Sequence, residues 1–572
     1  MNIFELKNIK LNNNFGATFL ALSILLYPFL FIWQCGDLTD TGFFVLNYQN
    51  FFEKLKLGNT NSLFFISDLI GAIWFKLFPT SGIIGFKFLY LVFFYLIISI
   101  SYLLLKNLTT KKNLLLLGIF CAISFSERTT MFIFSYDIAS WLFLIISSYF
   151  IIKGLNSKKI LSFYFSGIFF AISCLCRFPN IVLIALLPIT LLYIRFYREK
   201  NTTYLHLLMF IKEYSLFIIG FMSAIALFWG LLKYFSLAQI FLLNLDLIGA
   251  QNQSSYSFVI LMKSYVKEFV IFLPHALSIA SLMLTTSLIF NYSKITNKFS
   301  PFIKYIILLF CIAFLTYRGF SYSSNLKYLI PAFCLPPLLF SIIRKDKFSI
   351  VGIVILTMAL GQVAGTNTGL FLKLCTGFMV LLPISIIIIF EQKNLVFENI
   401  SINTKVILIV GVSFILFFSL FARIGWIYHV DSGVGCRLRA IYPIDHKLMK
   451  GIYTTKKNAS HIKVLCGAIE SNIREDNTLF IYGHQPMFYY LTKHQPTIKK
   501  FWLVNNVIQT DALFFSIKEN IKKTGKWPMI VDTKEKIMGE SGENKLSDFF
   551  KENNYKIILE KDDFIIWNKM PI

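Results

Sequence analysis

Long apolar runs separated by short polar or charged stretches organise most of this chain. A bilayer core of about 30 Å is crossed by about 20 helical residues, and the runs at 16–34, 82–105, 113–126, 137–152, 160–176, 179–196, 214–236, 268–291, 303–317, 328–343, 348–364, 371–390 and 405–427 approach or meet that length. They predict about thirteen membrane-spanning helices. The runs 113–126 and 137–152 are short for a crossing, so they are expected to bend or to lean on their neighbours. Beyond residue 428 the pattern turns polar and changes period. Residues 456–473 suit a helix, TLFIYG (478–483) a strand, PMFYYLT (486–492) a short helix, MIVD (529–532) a strand, KLSDFFKEN (545–553) a helix, and YKIILE and FIIWNK closing strands. Strands alternating with helices imply a small α/β domain. The expected fold is therefore a polytopic α-helical membrane protein, 1–428, followed by an α/β domain, 429–572.

Composition agrees and narrows the function classes. Of 572 residues, 56% are hydrophobic and only 15% charged, and mean hydropathy is +0.66. These values exclude a soluble globular enzyme, a disordered chain and a nucleic-acid-binding module. The same chain holds 55 Lys and Arg against 30 Asp and Glu, a net charge of +25. In a membrane protein such an excess belongs in cytoplasmic loops. Lys7 and Lys10, then Lys106, Lys111 and Lys112, then Lys153, Lys158 and Lys159, then Arg195, Arg198 and Lys200 fall in alternate loops, and Lys294, Lys298, Arg344, Lys345, Lys347 and Lys393 continue the alternation. The N-terminus is thereby expected on the cytoplasmic side of the membrane, and the tail outside. No small-residue cleavage site follows Trp33, so the first run reads as an uncleaved anchor. Cys121, Cys174, Cys176, Cys311, Cys334 and Cys375 all lie in apolar runs without metal spacing, and read as small buried side chains.

The predicted outer face carries three segments: a long first loop (35–81), a loop rich in Asn, Gln and Ser (237–267), and the tail. In the first loop SLFFISDLIGAIWFKLF suits a helix lying in the interface. Ionisable groups at the mouth of a membrane bundle are costly to place and are candidates for function. Asp37 reads as a solvated loop acid. Asp40 opens a run with Phe43, Phe44, Tyr48, Phe51 and Phe52, whose aromatics can pin its carboxylate at the membrane surface. The next outer loop brings Glu127, Arg128, Tyr136 and Asp137 together, with Asp137 placed to cap a helix as well as to serve a site. Outer cations run against the positive-inside bias. Lys373 and Arg423 suit snorkelling, whereas Arg177, Arg318 and Lys327, beside Pro or Gly at helix ends, suit an anionic lipid phosphate. The polar turn GTNTG (365–369), with Asn367, reads as a helix connection that can also offer amides to a sugar. No Gly-rich phosphate loop, HExxH or GxSxG occurs in the tail, and the tail aromatics Tyr489, Tyr490 and Trp502 are expected mostly in its core.

An acid early in a long first outer loop, a second acid in the next, many spans and an outer α/β tail together resemble the GT-C superfamily of integral-membrane glycosyltransferases, and within it the bacterial enzymes related to protein O-mannosyltransferases and lipid A aminoarabinose transferase. Asp40 is similar to the first-loop acid of that superfamily, although Thr41 and Gly42 stand where a paired acid is usual. Tyr136-Asp137 resembles the second-loop acid, and Lys327-Tyr328-Leu329-Ile330-Pro331 its basic-aromatic-x-x-Pro run. The resemblance implies transfer of a sugar from a polyprenyl phosphate to a protein, lipid or glycan acceptor on the outer side, with inversion. Asp40 would be the general base, Asp137 would orient Asp40 or the acceptor, and Arg177, Arg318 and Lys327 would hold the phosphate; Asp37, Tyr48, Glu127, Tyr136 and Asn367 are further candidate contacts. No essential metal is expected, although two acids could meet around a divalent ion. The rival readings are a carrier or flippase of lipid-linked sugars and a surface-polysaccharide ligase or polymerase. Transporters commonly show internal repeats and mid-span charges, which this sequence lacks.

Overall fold

The structure is a computed structural model that describes residues 13–56, 62–126, 133–157, 159–198, 203–239, 241–242, 258–291, 306, 309–310, 313, 326–364, 370–374, 377–391, 395–397, 400–402, 404–425, 436–473, 477–498, 510–534 and 548–569. Apolar helices run through all of the expected spans except 303–317, most of which lies outside the described residues. They are α1 (Asn13–Leu26), α4 (Gly82–Leu105), α5 (Lys112–Ser126), α6 (Tyr136–Ser157), α7 (Leu161–Cys176), α8 (Leu183–Arg198), α9 (Thr203–Tyr234), α10 (Phe258–Asn291), α11 (Leu326–Arg344), α12 (Ser349–Gly361), α14 (Phe378–Glu391) and α15 (Thr404–Gly425), with the short α13 (Leu370–Leu374) before α14. Four stretches, Gly82–Leu105, Tyr136–Ser157, Phe178–Phe196 and Tyr204–Tyr234, are long and apolar enough to cross a membrane among the described residues. Large apolar side chains such as Phe19, Leu96, Leu227 and Val270 remain exposed along these helices. So much apolar surface is stable only in contact with lipid. Gly167 on α7 and Gly220 on α9 let the two backbones touch, since a Cβ at either would meet a carbonyl oxygen of the other helix.

The first loop is more ordered than its mixed composition predicts. It forms α2 (Asp40–Lys56) and α3 (Phe65–Leu77), which pack on each other. The helix expected in this stretch is present as α3, and its face carrying Ser67, Asp68, Gly71 and Ala72 is buried against protein.

The tail holds the four-stranded sheet β5-β6-β8-β7, with β5 (Thr478–Tyr482) parallel to β6 (Pro528–Asp532), and with β7 (Tyr555–Lys561) and β8 (Phe564–Lys569) antiparallel. Before it come the hairpin β1 (Leu395–Phe397) and β2 (Ile400–Ile402), then α16 (Cys436–Arg439), the short pair β3 (Tyr442–Pro443) and β4 (Tyr453–Thr454), and α17 (Lys456–Asn472). The strands alternate between two faces. Phe480, Tyr482 and Ile530 point to a core closed by α19 (Thr510–Thr524). Leu479, Ile481, Met529 and Val531 point the other way, into a core that also contains α17, α18 (Met487–Thr492) and the first loop. The helix α19 is an element the sequence patterning passed over, although Leu513, Phe514, Ile517 and Ile521 form its apolar stripe at helical spacing. The six cysteines whose surroundings are described, Cys35, Cys121, Cys174, Cys176, Cys334 and Cys466, are free and buried.

The tail is joined to the end of the first apolar run through both side chains and backbone: Gln34 Nε2 donates to the carbonyls of Arg437 and Ala440 (3.2 Å each), and Arg437 donates to Gln34 Oε1. Tyr453 N–H donates to the Trp33 carbonyl (2.7 Å), Cys35 N–H donates to the Tyr453 carbonyl (3.1 Å), and Met487 N–H donates to the Leu38 carbonyl (3.1 Å). Asn458 Nδ2 donates to the Gly36 carbonyl at 3.0 Å. Gly42 on α2 sits directly on the Met487 backbone, which any Cβ would strike.

Candidate active site at the mouth of the helical bundle

The start of α2 is fixed by Asp37. It is 1% exposed, and its carboxylate accepts the N–H and hydroxyl of Thr39 (3.1 and 2.6 Å) and the N–H of Thr41 (2.7 Å). Three local donors make it a capping residue. This corrects the reading of Asp37 as a solvated loop acid, because it is buried and its carboxylate caps α2. Asp40 stands in the first turn of α2 and is half-buried, where the helix N-terminus favours its negative charge.

Residues four apart share a helix face, so Asp40, Phe44 and Tyr48 descend one side of α2. The Phe44 ring meets the edge of Tyr136 with centroids 5.6 Å apart, and Tyr136 stacks flat on Phe64 at 3.9 Å. Through these rings the first-loop helix reaches the first residue of α6, beside Asp137. Tyr48 is 1% exposed, packs on Phe86 and Phe134, and donates its hydroxyl to the Phe134 carbonyl at 2.9 Å. Burial, with Asp68 and Tyr136 nearby, pushes its phenol well above the usual range. Tyr48 therefore packs the first-loop helix against the Phe86 and Phe134 rings, with no open face.

Asp137 and Arg177 are brought together. The Arg177 Nε lies 3.4 Å from Asp137 Oδ1. Pro179 forces a 3-10 turn, Phe178–Val182, after α7, and Arg177 is extended at its head. From there its guanidinium donates to Asn180 Oδ1 (3.0 Å) and to the Ala364 carbonyl (2.8 Å). Asn180 in turn donates to Ser173 Oγ (2.8 Å), and Gln362 Nε2 donates to Asn180 Oδ1 (3.1 Å). Arg177 is 2% exposed, so a phosphate reaches it only if a neighbour gives way. The side chain of Asp137 is the more open partner, at 34%.

Asp68, Asn180, Gln362 and Glu268 belong to this neighbourhood and were missed in the sequence. Asp68 is 5% exposed in the first turn of α3; a lone acid inside SLFFISDLIGAIWFKLF was its signal. Glu268 caps α13, accepting the N–H of Leu370 and of Phe371. Glu127, Arg128, Arg318 and Asn367 lie outside the described residues, as does Trp502. Lys327 is the second residue of α11. Next to it, Tyr328 is buried and stacks with His275 at 5.8 Å. Among the described residues, no three His, Cys, Asp or Glu side chains converge as a metal site would require.

The arrangement as a whole has a counterpart among solved structures. The crystal structure of ArnT from Cupriavidus metallidurans in the apo state superposes with a TM-score of 0.50 and 8% sequence identity, over 97% of this chain and 98% of that one. The chain has an ArnT-like fold. The resemblance read from the sequence therefore holds at the level of fold. A second ArnT structure, bound to undecaprenyl phosphate, aligns over 96% and 97% of the two chains at 8% identity with a TM-score of 0.48. No family model matches the sequence, and no curated protein matches it. An ArnT-like architecture with this apolar surface makes the chain a multi-pass membrane protein.

Proposed function

We propose that this chain is a membrane glycosyltransferase that moves a sugar from a polyprenyl-phosphate donor to an acceptor on the extracytoplasmic side. One observation carries the reading. The acid-bearing face of α2 meets the Tyr136-Asp137 start of α6, with Arg177 held on Asp137, all at one end of an apolar bundle. A lipid-anchored donor can present its phosphate at such a mouth while its tail stays among the apolar helices.

In this reading the acceptor hydroxyl oxygen attacks the anomeric carbon from the side opposite the phosphate. The bond from that carbon to the phosphate oxygen breaks, and polyprenyl phosphate leaves with the electron pair. Asp40 takes the hydroxyl proton as general base. Phosphate is already an adequate leaving group, so no second acid is needed, unlike in two-carboxylate hydrolases. Charge on the departing phosphate is balanced by cations. Arg177 supplies one, oriented by Asp137, Asn180 and Gln362, and Arg318 and Lys327 are the others in this scheme. Glu127, Tyr136 and Asn367 remain the candidate sugar or acceptor contacts.

The same reading has thirteen spans, the N-terminus in the cytoplasm of a bacterial cell, and an extracytoplasmic domain from 429 to 572. The shared core of tail and first loop supports giving the tail a part in shaping the acceptor side. The test is transfer from a radiolabelled polyprenyl-linked sugar by the purified chain. Asp40→Asn is expected to lower turnover by on the order of a hundredfold or more, with release of polyprenyl phosphate falling in step. Undiminished turnover would remove Asp40 from the role. Movement of labelled donor across vesicles without release of polyprenyl phosphate would make the chain a carrier instead.

A further inference from the structure

Away from Asp40 and Asp137, a cavity of about 680 Å³ opens at the edge of the tail. Leu438 and Arg439 of α16, Ile441 and Tyr442 just after it, and Lys456 and Lys457 in the first turn of α17 line it. Three cations therefore face one space with no acid among its lining residues. None of the three forms an ion pair among the described residues, whereas Lys463 on the same helix is paired with Asp445. The cavity wall is also apolar in an unusual way. Leu438 is 67% exposed and Ile441 64%, side chains that water alone does not favour.

The position of the cavity explains both features. The helix α16 follows α15, the last apolar helix, and packs on it. Arg437, between Cys436 and Leu438, lies over the Phe31 ring at 5.1 Å and donates to Gln34 Oε1 at 3.1 Å. The strand β4, which leads into α17, is hydrogen-bonded to Trp33, itself 42% exposed. The cavity thus sits at the height where the first and last apolar helices end, the boundary at which aromatic and basic side chains meet lipid headgroups.

We propose that this cavity binds the anionic headgroup of a bilayer phospholipid, with Arg439, Lys456 and Lys457 around the phosphate and Leu438 and Ile441 against the upper acyl chain. The proposal depends on the chain being embedded in a membrane and not on sugar transfer, and it uses none of the residues assigned to the donor. Calorimetric titration of the purified full-length chain in a neutral detergent with short-chain phosphatidylglycerol tests it, alongside phosphatidylcholine and inorganic phosphate. The triple variant Arg439→Gln, Lys456→Gln, Lys457→Gln changes only exposed side chains and is expected to keep the wild-type unfolding midpoint. Its affinity for phosphatidylglycerol is expected to fall on the order of a hundredfold, from about a fivefold loss per cation. Phosphatidylcholine is expected to bind far more weakly than phosphatidylglycerol. The double variant Leu438→Ser, Ile441→Ser is expected to weaken phosphatidylglycerol while leaving inorganic phosphate unaffected. Equal affinity in the triple variant, equal binding of phosphatidylcholine, or inorganic phosphate binding as tightly as the lipid would each overturn the assignment; the last result would make the cavity a site for free phosphate.

Discussion

Two polar clusters at the same end of the bundle are built on different terms. One surrounds Arg177 and joins α6, α7, the turn after α7 and the end of α12 through side chains, with a charged pair at its centre. The other joins residues 33–42 to the tail through backbone groups, the Asn458 and Gln34 amides, the latter with Arg437, and a glycine contact. In the first, stability depends on keeping charge compensated inside a low-dielectric surround. In the second, it depends on how closely two backbones approach. Substitutions should therefore act on the two clusters by different rules.

The largest effect is expected in the charged cluster, and it should be asymmetric. Asp137→Leu leaves a guanidinium that is 2% exposed without its carboxylate, and breaking a buried pair this way costs about 3 kcal/mol or more. Arg177→Met leaves a carboxylate whose Oδ1 is buried but whose side chain as a whole is 34% exposed, so water still solvates part of the charge and the cost should be smaller, nearer about 1 to 2 kcal/mol. Thermal unfolding midpoints of the two variants in one detergent measure the difference. If Arg177→Met proves the more damaging, the guanidinium contributes more through Asn180 and Ala364 than through Asp137.

At the backbone junction, Gly42→Val is expected to cost about 1 to 3 kcal/mol by overpacking, since its side chain would fall on Met487. The readout that separates this from general damage is proteolysis: the tail should be released before the bundle is cut. If the tail is cut no faster than in the wild type, the α2–α18 contact is not what holds it.

How legible each cluster was in the sequence follows from the same difference. Asp137 and Arg177 could be singled out because an acid and a cation at the ends of apolar runs are costly unless they do something. Their mutual pairing could not, since it depends on α7 packing back along α6, so that the end of one helix comes beside the start of the other. The strands of the tail were legible because one β period exposes two faces, whereas α19 lies in a sequence rich in Lys and Asn that masks its stripe. The junction was nearly invisible: backbone N–H groups carry no residue signature, and Gly42 reads only as a gap after Asp40. Asp37 was misjudged for a related reason, as its three donors come from its own neighbours and form only once α2 is folded.

A smaller effect, from titration, should reach the junction through His446. Its Nδ1 accepts the Leu448 N–H at 3.2 Å, which requires a neutral ring, and burial pulls its pKa below the ordinary 6.5, with Glu470 opposing. A depressed histidine means that the unfolded chain binds the proton first as pH falls. Stability is therefore full above about 6.5 and is lost as pH drops through the folded-state value. His494, also depressed by burial, acts in the same direction. The unfolding midpoint of the tail should fall between pH 7 and pH 5, and His446→Asn, which keeps an acceptor but does not titrate, should flatten the slope in part. An unchanged slope would assign the pH dependence to His494 or elsewhere.

The smallest effect sharpens the comparison most. Lys463 Nζ and Asp445 Oδ2 are 2.7 Å apart, closer than Arg177 and Asp137 at 3.4 Å, and each holds the partner's charged form in favour. By distance alone this would be the stronger pair. Yet the two side chains are 67% and 73% exposed, so water and salt already solvate both charges and screen their attraction. Lys463→Ala is therefore expected to leave the unfolding midpoint unchanged within error, at low and at physiological salt. A clear loss of stability, on the scale of Asp137→Leu, would mean that burial is not what distinguishes the two pairs, and the asymmetry expected at Arg177 would lose its physical basis.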